Sequence, residues 1–209
     1  IALVVQPGVE FGHHDVKDFE PENATALSGV LDDFPGIVFE AHSTDYQTAD
    51  ALAALVRGHF AILKVGPGLT FALREALWGI DLIERECLGD QASGFRDTVL
   101  SVMEREPKYW KGYYKSTDAR QHLLDMQYSL SDRIRYYWPH PEIQKARSAM
   151  FANFERVRPV PELISQYVPS AYRAMRAGYC DGSPAALAMA NVTAVLDNYH
   201  RACVPAGEC

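Results

Sequence analysis

Residues 36–41 read Gly-Ile-Val-Phe-Glu-Ala, an apolar, β-branched run broken by one carboxylate. This is the pattern of a strand buried in a parallel sheet. Two similar runs lie on either side, Ile1–Val5 (IALVV) and Phe60–Val65 (FAILKV). The text between them is helical: Pro21–Leu31 carries apolar residues at helical spacing, and Thr48 can cap a helix through Ala51, Leu52, Leu55 and Val56. The order is therefore β-α-β-α-β. Strand starts near residues 1, 36 and 60 suit right-handed crossovers and predict a parallel sheet.

Three strands cannot close a barrel, which takes about eight strands and about 250 residues. Residue 1 is Ile rather than Met, so the chain is expected to be the C-terminal part of a longer α/β protein, a small open sheet being the alternative. After Pro67 helical patterns take over: Leu69–Leu88, Phe95–Arg105, His140–Phe154, and Pro184–Cys203 with Ser183 as cap and Pro184 as first-turn proline. Gly112–Asp118 and Arg158–Pro161 read as loops. The expected organisation is βα units over residues 1–69 and a mainly helical extension over residues 70–209.

The 209 residues are 48% hydrophobic and 22% charged, enough apolar material for a core and incompatible with a disordered or collagenous chain. A formal charge of -7 argues against holding nucleic acid by phosphate neutralisation. No apolar run approaches the roughly 20 residues that span a bilayer, and the first residues lack the charged, apolar and small-residue regions expected of a signal peptide. Cys87, Cys180, Cys203 and Cys209 form no CxxC spacing, which predicts reduced thiols in a cytoplasm, least firmly for the two near the tail.

In parallel α/β folds ligands bind at the C-terminal ends of strands, and all three strands here end in polar text. The first runs into Gln6, Glu10, His13 and His14, the second into Glu40, His42 and Asp45, and the third carries Lys64 before Gly66-Pro67-Gly68. Glu40 and His42 are two apart and share a strand face, a usable acid/base or metal pair. His13 or Glu10 could complete a nitrogen/oxygen set, with a divalent metal such as zinc as the cofactor. The bland alternative has His42 bonding a loop and Glu40 pairing with Lys64. Lys64, inside an apolar strand, is expected to be buried and partnered. A salt bridge or phosphate contact is the preferred role over Schiff-base chemistry. The candidate catalytic residues are Glu40, His42 and Lys64. Gln6, Glu10, Asp45, Arg133 and Arg135 are the candidate substrate or phosphate contacts.

Arg133 and Arg135 belong to SDRIRYYWP (Ser131–Pro139), where guanidinium forks and flat rings suit a sugar phosphate or dock the helical extension. The rings of Tyr109-Trp110-Lys111-Gly112-Tyr113-Tyr114 are open to the same two roles, and in such number cover a pocket or a partner. GxxxxGK[ST], GxGxxG and GxSxG are all missing from the sequence.

VVQPGVEFGH (Val4–His13), FEAHSTDYQT (Phe39–Thr48), FAILKVGP (Phe60–Pro67), EPKYWKGYY (Glu106–Tyr114), SDRIRYYWPH (Ser131–His140) and LISQYVP (Leu163–Pro169) resemble the GatZ/KbaZ family of tagatose-bisphosphate aldolase non-catalytic subunits, also described as tagatose-6-phosphate kinases. The resemblance covers nearly the whole chain in order. It implies the C-terminal portion of a TIM-type (β/α)8 barrel with a helical C-terminal extension. It also implies a cytoplasmic role in galactitol or N-acetylgalactosamine breakdown, with a class II aldolase catalytic subunit as partner and a sugar phosphate as ligand. Three functions compete. A stabilising subunit needs a sizeable apolar or aromatic surface, a metal-dependent sugar-phosphate 4-epimerase needs Glu40, His42 and His13, and a kinase needs ATP phosphates on Lys64, Arg133 or Arg135. The stabilising subunit with a retained sugar-phosphate pocket is preferred. A homo-oligomer stays open.

Overall fold

The computed structural model describes residues 1–204, so Cys209 lies outside the described residues. The chain opens with strand β1 (Ala2–Val5), a short hairpin of β2 (Glu10–Phe11) and β3 (Val16–Lys17), and helix α1 (Pro21–Gly29). Strand β4 (Val38–Ala41), helix α2 (Ala49–Arg57) and strand β5 (Phe60–Leu63) follow. Strands β1, β4 and β5 form one sheet in that order, parallel throughout, as the sequence predicts. The fold class is α/β, with a parallel sheet and mostly helices. The hairpin was not legible, because two-residue strands carry no measurable alternation.

Side chains alternate along β4. Phe39 and Ala41 are 2% and 0% exposed, whereas Val38 is 39% exposed and Glu40 is half-buried. On the buried face the Phe39 and Phe60 rings lie 5.7 Å apart, and Phe19 meets Phe60 edge-on at 5.9 Å. Ala24 of α1 and Ala51, Leu52 and Leu55 of α2 complete this core. Each fully buried Leu or Phe contributes about 1.5–3 kcal/mol of transfer free energy. Helix α2 begins where Thr48 Oγ1 accepts the Ala51 amide at 3.1 Å, the expected cap, and it ends at Gly58. The other face carries Val4, Val38 and Ile62, in register through Ala2↔Val38, Val4↔Glu40 and Glu40↔Ile62. Val4 and Ile62 are 60% and 42% exposed.

The chain divides into two compact units, one made of Ile1–Leu69 with the segment from Val195 onward, the other of Thr70–Ala194. In the first, Tyr199 and Ala202 pack against the Phe39–Phe60 core. They belong to the final helix α9 (Pro184–Cys203), which follows α3 (Pro67–Leu88), α4 (Phe95–Arg105), α5 (Ala119–Tyr128), α6 (Pro141–Val157), α7 (Pro161–Tyr167) and α8 (Pro169–Arg176). Ser183 Oγ accepts the Ala186 amide at 3.3 Å, so the expected cap of α9 is in place.

The second unit is all helical. Ile80, Ile83, Phe95, Val99, Val102 and Met103 are fully buried at its centre. Gly79 of α3 faces Tyr167 and Val168 so closely that a Cβ would meet the Tyr167 carbonyl oxygen and lie 2.7 Å from Val168 Cγ2. Only glycine permits that approach. Arg158–Pro161 reads as a loop, yet Pro161 starts α7 and Pro169 starts α8, first-turn positions where the missing N–H costs nothing. Among the described residues no helix is long and apolar enough to cross a membrane, and Cys87, Cys180 and Cys203 are free thiols.

Candidate functional site

The strand exits of the first unit converge on one constellation. His42 follows β4 and Lys64 follows β5, and the Lys64 ammonium lies 3.0 Å from His42 Nε2. An ammonium only donates, so His42 Nε2 accepts. The proton of the neutral ring is then on Nδ1, 3.3 Å from Ser43 Oγ. The sequence placed Lys64 inside the strand, buried; the structure corrects this, because β5 ends at Leu63 and Lys64 is exposed. Its ammonium keeps its hydration, and its contact is the imidazole rather than Glu40.

The loop that presents His42 is tied down through Thr44, Asp45 and Gln47. Thr44, fully buried, donates from its hydroxyl to the Lys64 carbonyl oxygen at 2.9 Å, and its amide reaches the same oxygen at 3.2 Å. Asp45, 3% exposed, accepts the amides of Gly66 and Gly68 on Oδ1 at 2.8 and 2.7 Å. Gln47 accepts the Phe19 amide at 2.8 Å and donates to the Lys17 carbonyl at 2.9 Å. Ser43 and Tyr46 adopt φ of 59° and 65°. Left-handed backbone at non-glycine residues costs of order 1 kcal/mol or more and concentrates at functional sites. The segment Ser43–Gln47 is thus a strained loop clamped on both sides, with His42 at its start.

The other expected contacts are dispersed. Gln6 is exposed and lines a cavity of about 240 Å³ with Lys17, Asp18, Glu20 and Asn23. Glu10 is exposed on β2, opposite Lys17. Asp45 was expected to meet substrate, but its Oδ1 is committed to backbone amides. His13 sits in the turn of the hairpin, whereas Glu40 and His42 belong to β4 and its exit. Among the described residues no group of three or more His, Cys, Asp or Glu side chains is placed to hold a metal ion. The donor set expected for zinc therefore does not assemble, and no step is derived through a metal.

Arg133 and Arg135 belong to the second unit. Arg133 Nε donates to the Tyr109 carbonyl at 2.7 Å, and its guanidinium lies 3.6 Å from the Tyr113 ring centroid and 4.6 Å from that of Tyr136. Arg135 donates to the carbonyls of Ser131 and Asp132. Asp132 itself is buried, accepting from Thr70 at 2.5 Å and from Arg74 Nε at 3.1 Å. Burial pushes the Asp132 carboxyl above its ordinary range, against the pull of Thr70 and Arg74. Arg74 is 1% exposed, and its Nη2 has no hydrogen-bond partner among the described residues.

Sequence reasoning missed Ser43, Thr44 and Tyr199 as site-shaping residues. Ser43 and Thr44 stand beside Asp45 in the polar strand exit, and their only signal was that position. Tyr199 gave none.

The comparisons with known proteins agree. The chain is 46% identical over 204 residues to the D-tagatose-1,6-bisphosphate aldolase subunit GatZ of Klebsiella pneumoniae subsp. pneumoniae, covering 97% of this chain and 48% of that protein. It is 46% identical over 206 residues to the subunit of the same name from Salmonella paratyphi B, covering 98% and 48%. The chain thus spans about half the length of the curated relatives it matches. A crystal structure of a probable tagatose 6 phosphate kinase from Sinorhizobium meliloti 1021 superposes with a TM-score of 0.92 at 46% identity, covering 97% of this chain and 52% of that one. The family model described as D-tagatose-1,6-bisphosphate aldolase subunit GatZ/KbaZ-like matches residues 1–204. The chain belongs to the GatZ/KbaZ-like family of D-tagatose-1,6-bisphosphate aldolase subunits.

Proposed function

We propose that this chain is part of a non-catalytic subunit that binds and stabilises the catalytic subunit of a class II D-tagatose-1,6-bisphosphate aldolase in the cytoplasm, and that it keeps a pocket for a sugar phosphate. The observation that carries this is the family match over residues 1–204, with relatives named as aldolase subunits at 46% identity. The parallel order β1-β4-β5 and the uncovered face bearing Val4, Val38, Glu40 and Ile62 support a portion of a (β/α)8 barrel, whose interior that face would line. His42 and Lys64 then stand at the mouth, where Lys64 supplies positive charge to a phosphate and His42 orients it. Glu40, one step down the same face, supplies a carboxylate for sugar hydroxyls.

The test is reconstitution. A purified class II catalytic subunit gains thermal stability and activity when the full chain is added, and the two co-elute on size exclusion. Unchanged activity and separate elution would remove the subunit role.

The contact between Lys64 and His42 favours a second reading, chemistry on tagatose 6-phosphate itself, because an ammonium on a neutral imidazole is a proton-transfer pair. It fits the name of the Sinorhizobium meliloti relative. Turnover of tagatose 6-phosphate by the full chain alone, by ATP-dependent phosphorylation or by epimerisation at carbon 4, distinguishes it from the subunit role.

A further inference from the structure

The second unit carries an ordered array of cations and rings that the strand-end pocket does not use. The Arg133 guanidinium is sandwiched between the Tyr113 and Tyr136 rings, and Tyr136 stacks on Tyr109 with centroids 5.2 Å apart and planes 22° apart. The Lys108 ammonium lies 4.4 Å over the Tyr109 ring, and Arg135 lies 4.5 Å over Tyr136. Tyr113 and Tyr136 are 50% and 41% exposed. The loop holding this array also exposes Lys111 and Lys115, and residues 107–117 contain no acid. The chain as a whole is charged -7, so this face is locally opposite in sign to the molecule that bears it.

We propose that the ladder of Lys108, Tyr109, Tyr136, Arg133 and Tyr113 is a docking face for a carboxylate-rich surface of the aldolase catalytic subunit. This rests on the subunit reading above and names where that partner sits. Four arguments support it. Arginine and tyrosine are the residues enriched in the energetic centres of protein interfaces. Stacking already fixes the Arg133 and Tyr136 side chains, so little rotamer freedom remains to be lost on binding. Tyr113 and Tyr136 lie open to solvent, whereas small-ligand sites are concave and bury most of their ligand. The sign of the charge selects an acidic partner and steers its approach.

The experiment measures binding of the full chain to a purified class II tagatose-bisphosphate aldolase catalytic subunit at about 50 and about 300 mM salt, a range over which exposed charges become screened. Lys108→Glu combined with Arg133→Glu weakens the low-salt affinity by at least about tenfold, and salt weakens the wild type more than the variant. Arg133→Lys keeps the charge but not the flat sandwich, and falls between. Lys108→Glu and Tyr113→Ala change exposed side chains and decide the matter if Arg133→Glu lowers the melting temperature. Wild-type-like binding, within about twofold, by folded variants overturns the docking face and leaves the subunit role standing. A wild type that does not bind the catalytic subunit overturns both. Variants that bind the subunit normally but lose tagatose 6-phosphate assign the ladder to the small ligand and overturn the docking face.

Discussion

The Tyr199 hydroxyl donates to the carbonyl oxygen of Thr44 at 2.7 Å, although the two residues are 155 positions apart. Thr44 in turn holds the carbonyl of Lys64. A residue of the last helix therefore fixes the loop that sets His42 against Lys64. Tyr199→Phe keeps the ring in the core and deletes one hydrogen bond, which lowers unfolding free energy by about 1 kcal/mol in denaturant titration.

The same tyrosine gives a pH signature. Burial, more than the neighbouring Asp45 charge, pushes the Tyr199 hydroxyl from 10.0 up to about 12, and the Thr44 bond opposes this only in part. The unfolded chain releases this proton near 10 and the folded chain does not, so ionisation stabilises only the unfolded state in that interval. Stability falls as pH rises from 10 to about 12. Melting curves across this range show a steeper loss for the wild type than for Tyr199→Phe.

Lys64→Met removes the one ammonium placed on His42 and leaves the stem. On the proposal that the strand-end pocket takes a sugar phosphate, loss of this charged hydrogen bond weakens binding of tagatose 6-phosphate roughly ten- to a hundredfold in calorimetric titration, with unchanged melting, because Lys64 is exposed. His42→Ala removes only the orienting group and has the smaller effect.

Asp132 and Arg74 are an almost fully buried ion pair, with side chains 0% and 2% exposed. Asp132→Ala deprives the buried Arg74 charge of the carboxylate it is hydrogen-bonded to and costs about 3–5 kcal/mol by chemical denaturation. Arg74→Met combined with Asp132→Asn recovers most of that loss, since the desolvation cost disappears with both charges and asparagine, like aspartate, tolerates the left-handed backbone at position 132 (φ 45°).

Gly79→Ala places a methyl group against the Tyr167 carbonyl and Val168. Neither the backbone oxygen nor the packed valine can yield cheaply. The variant loses about 1–3 kcal/mol, seen as a lower melting temperature.

How far the sequence reached follows from the range of the forces involved. Thr48 and Ser183 cap helices through bonds to amides three residues on, and Leu69–Leu88 shows its buried stripe by spacing alone, so both were legible. The parallel sheet was legible because three apolar, β-branched runs start near residues 1, 36 and 60 with helical text between them. The site was legible as a strand exit but not as a geometry. Whether Lys64 meets Glu40 or His42 depends on where β5 ends and on the shift of register between Phe39 and Glu40. Asp45 reads as a ligand in any polar loop, and only the placement of the Gly66 and Gly68 amides shows that it is a latch. Tyr199 acts across the whole chain, where no local pattern exists.

The first unit takes its last pieces from the far end of the chain. During synthesis its strands emerge before the residues from Thr70 to Ala194, and their buried face lacks the contacts of Tyr199 and Ala202 while that stretch is translated. Tyr199 and Ala202 leave the ribosome only after that stretch. Unfinished chains of this protein therefore carry an incomplete sheet core and an unclamped His42 loop, and are the species most exposed to chaperones and proteases.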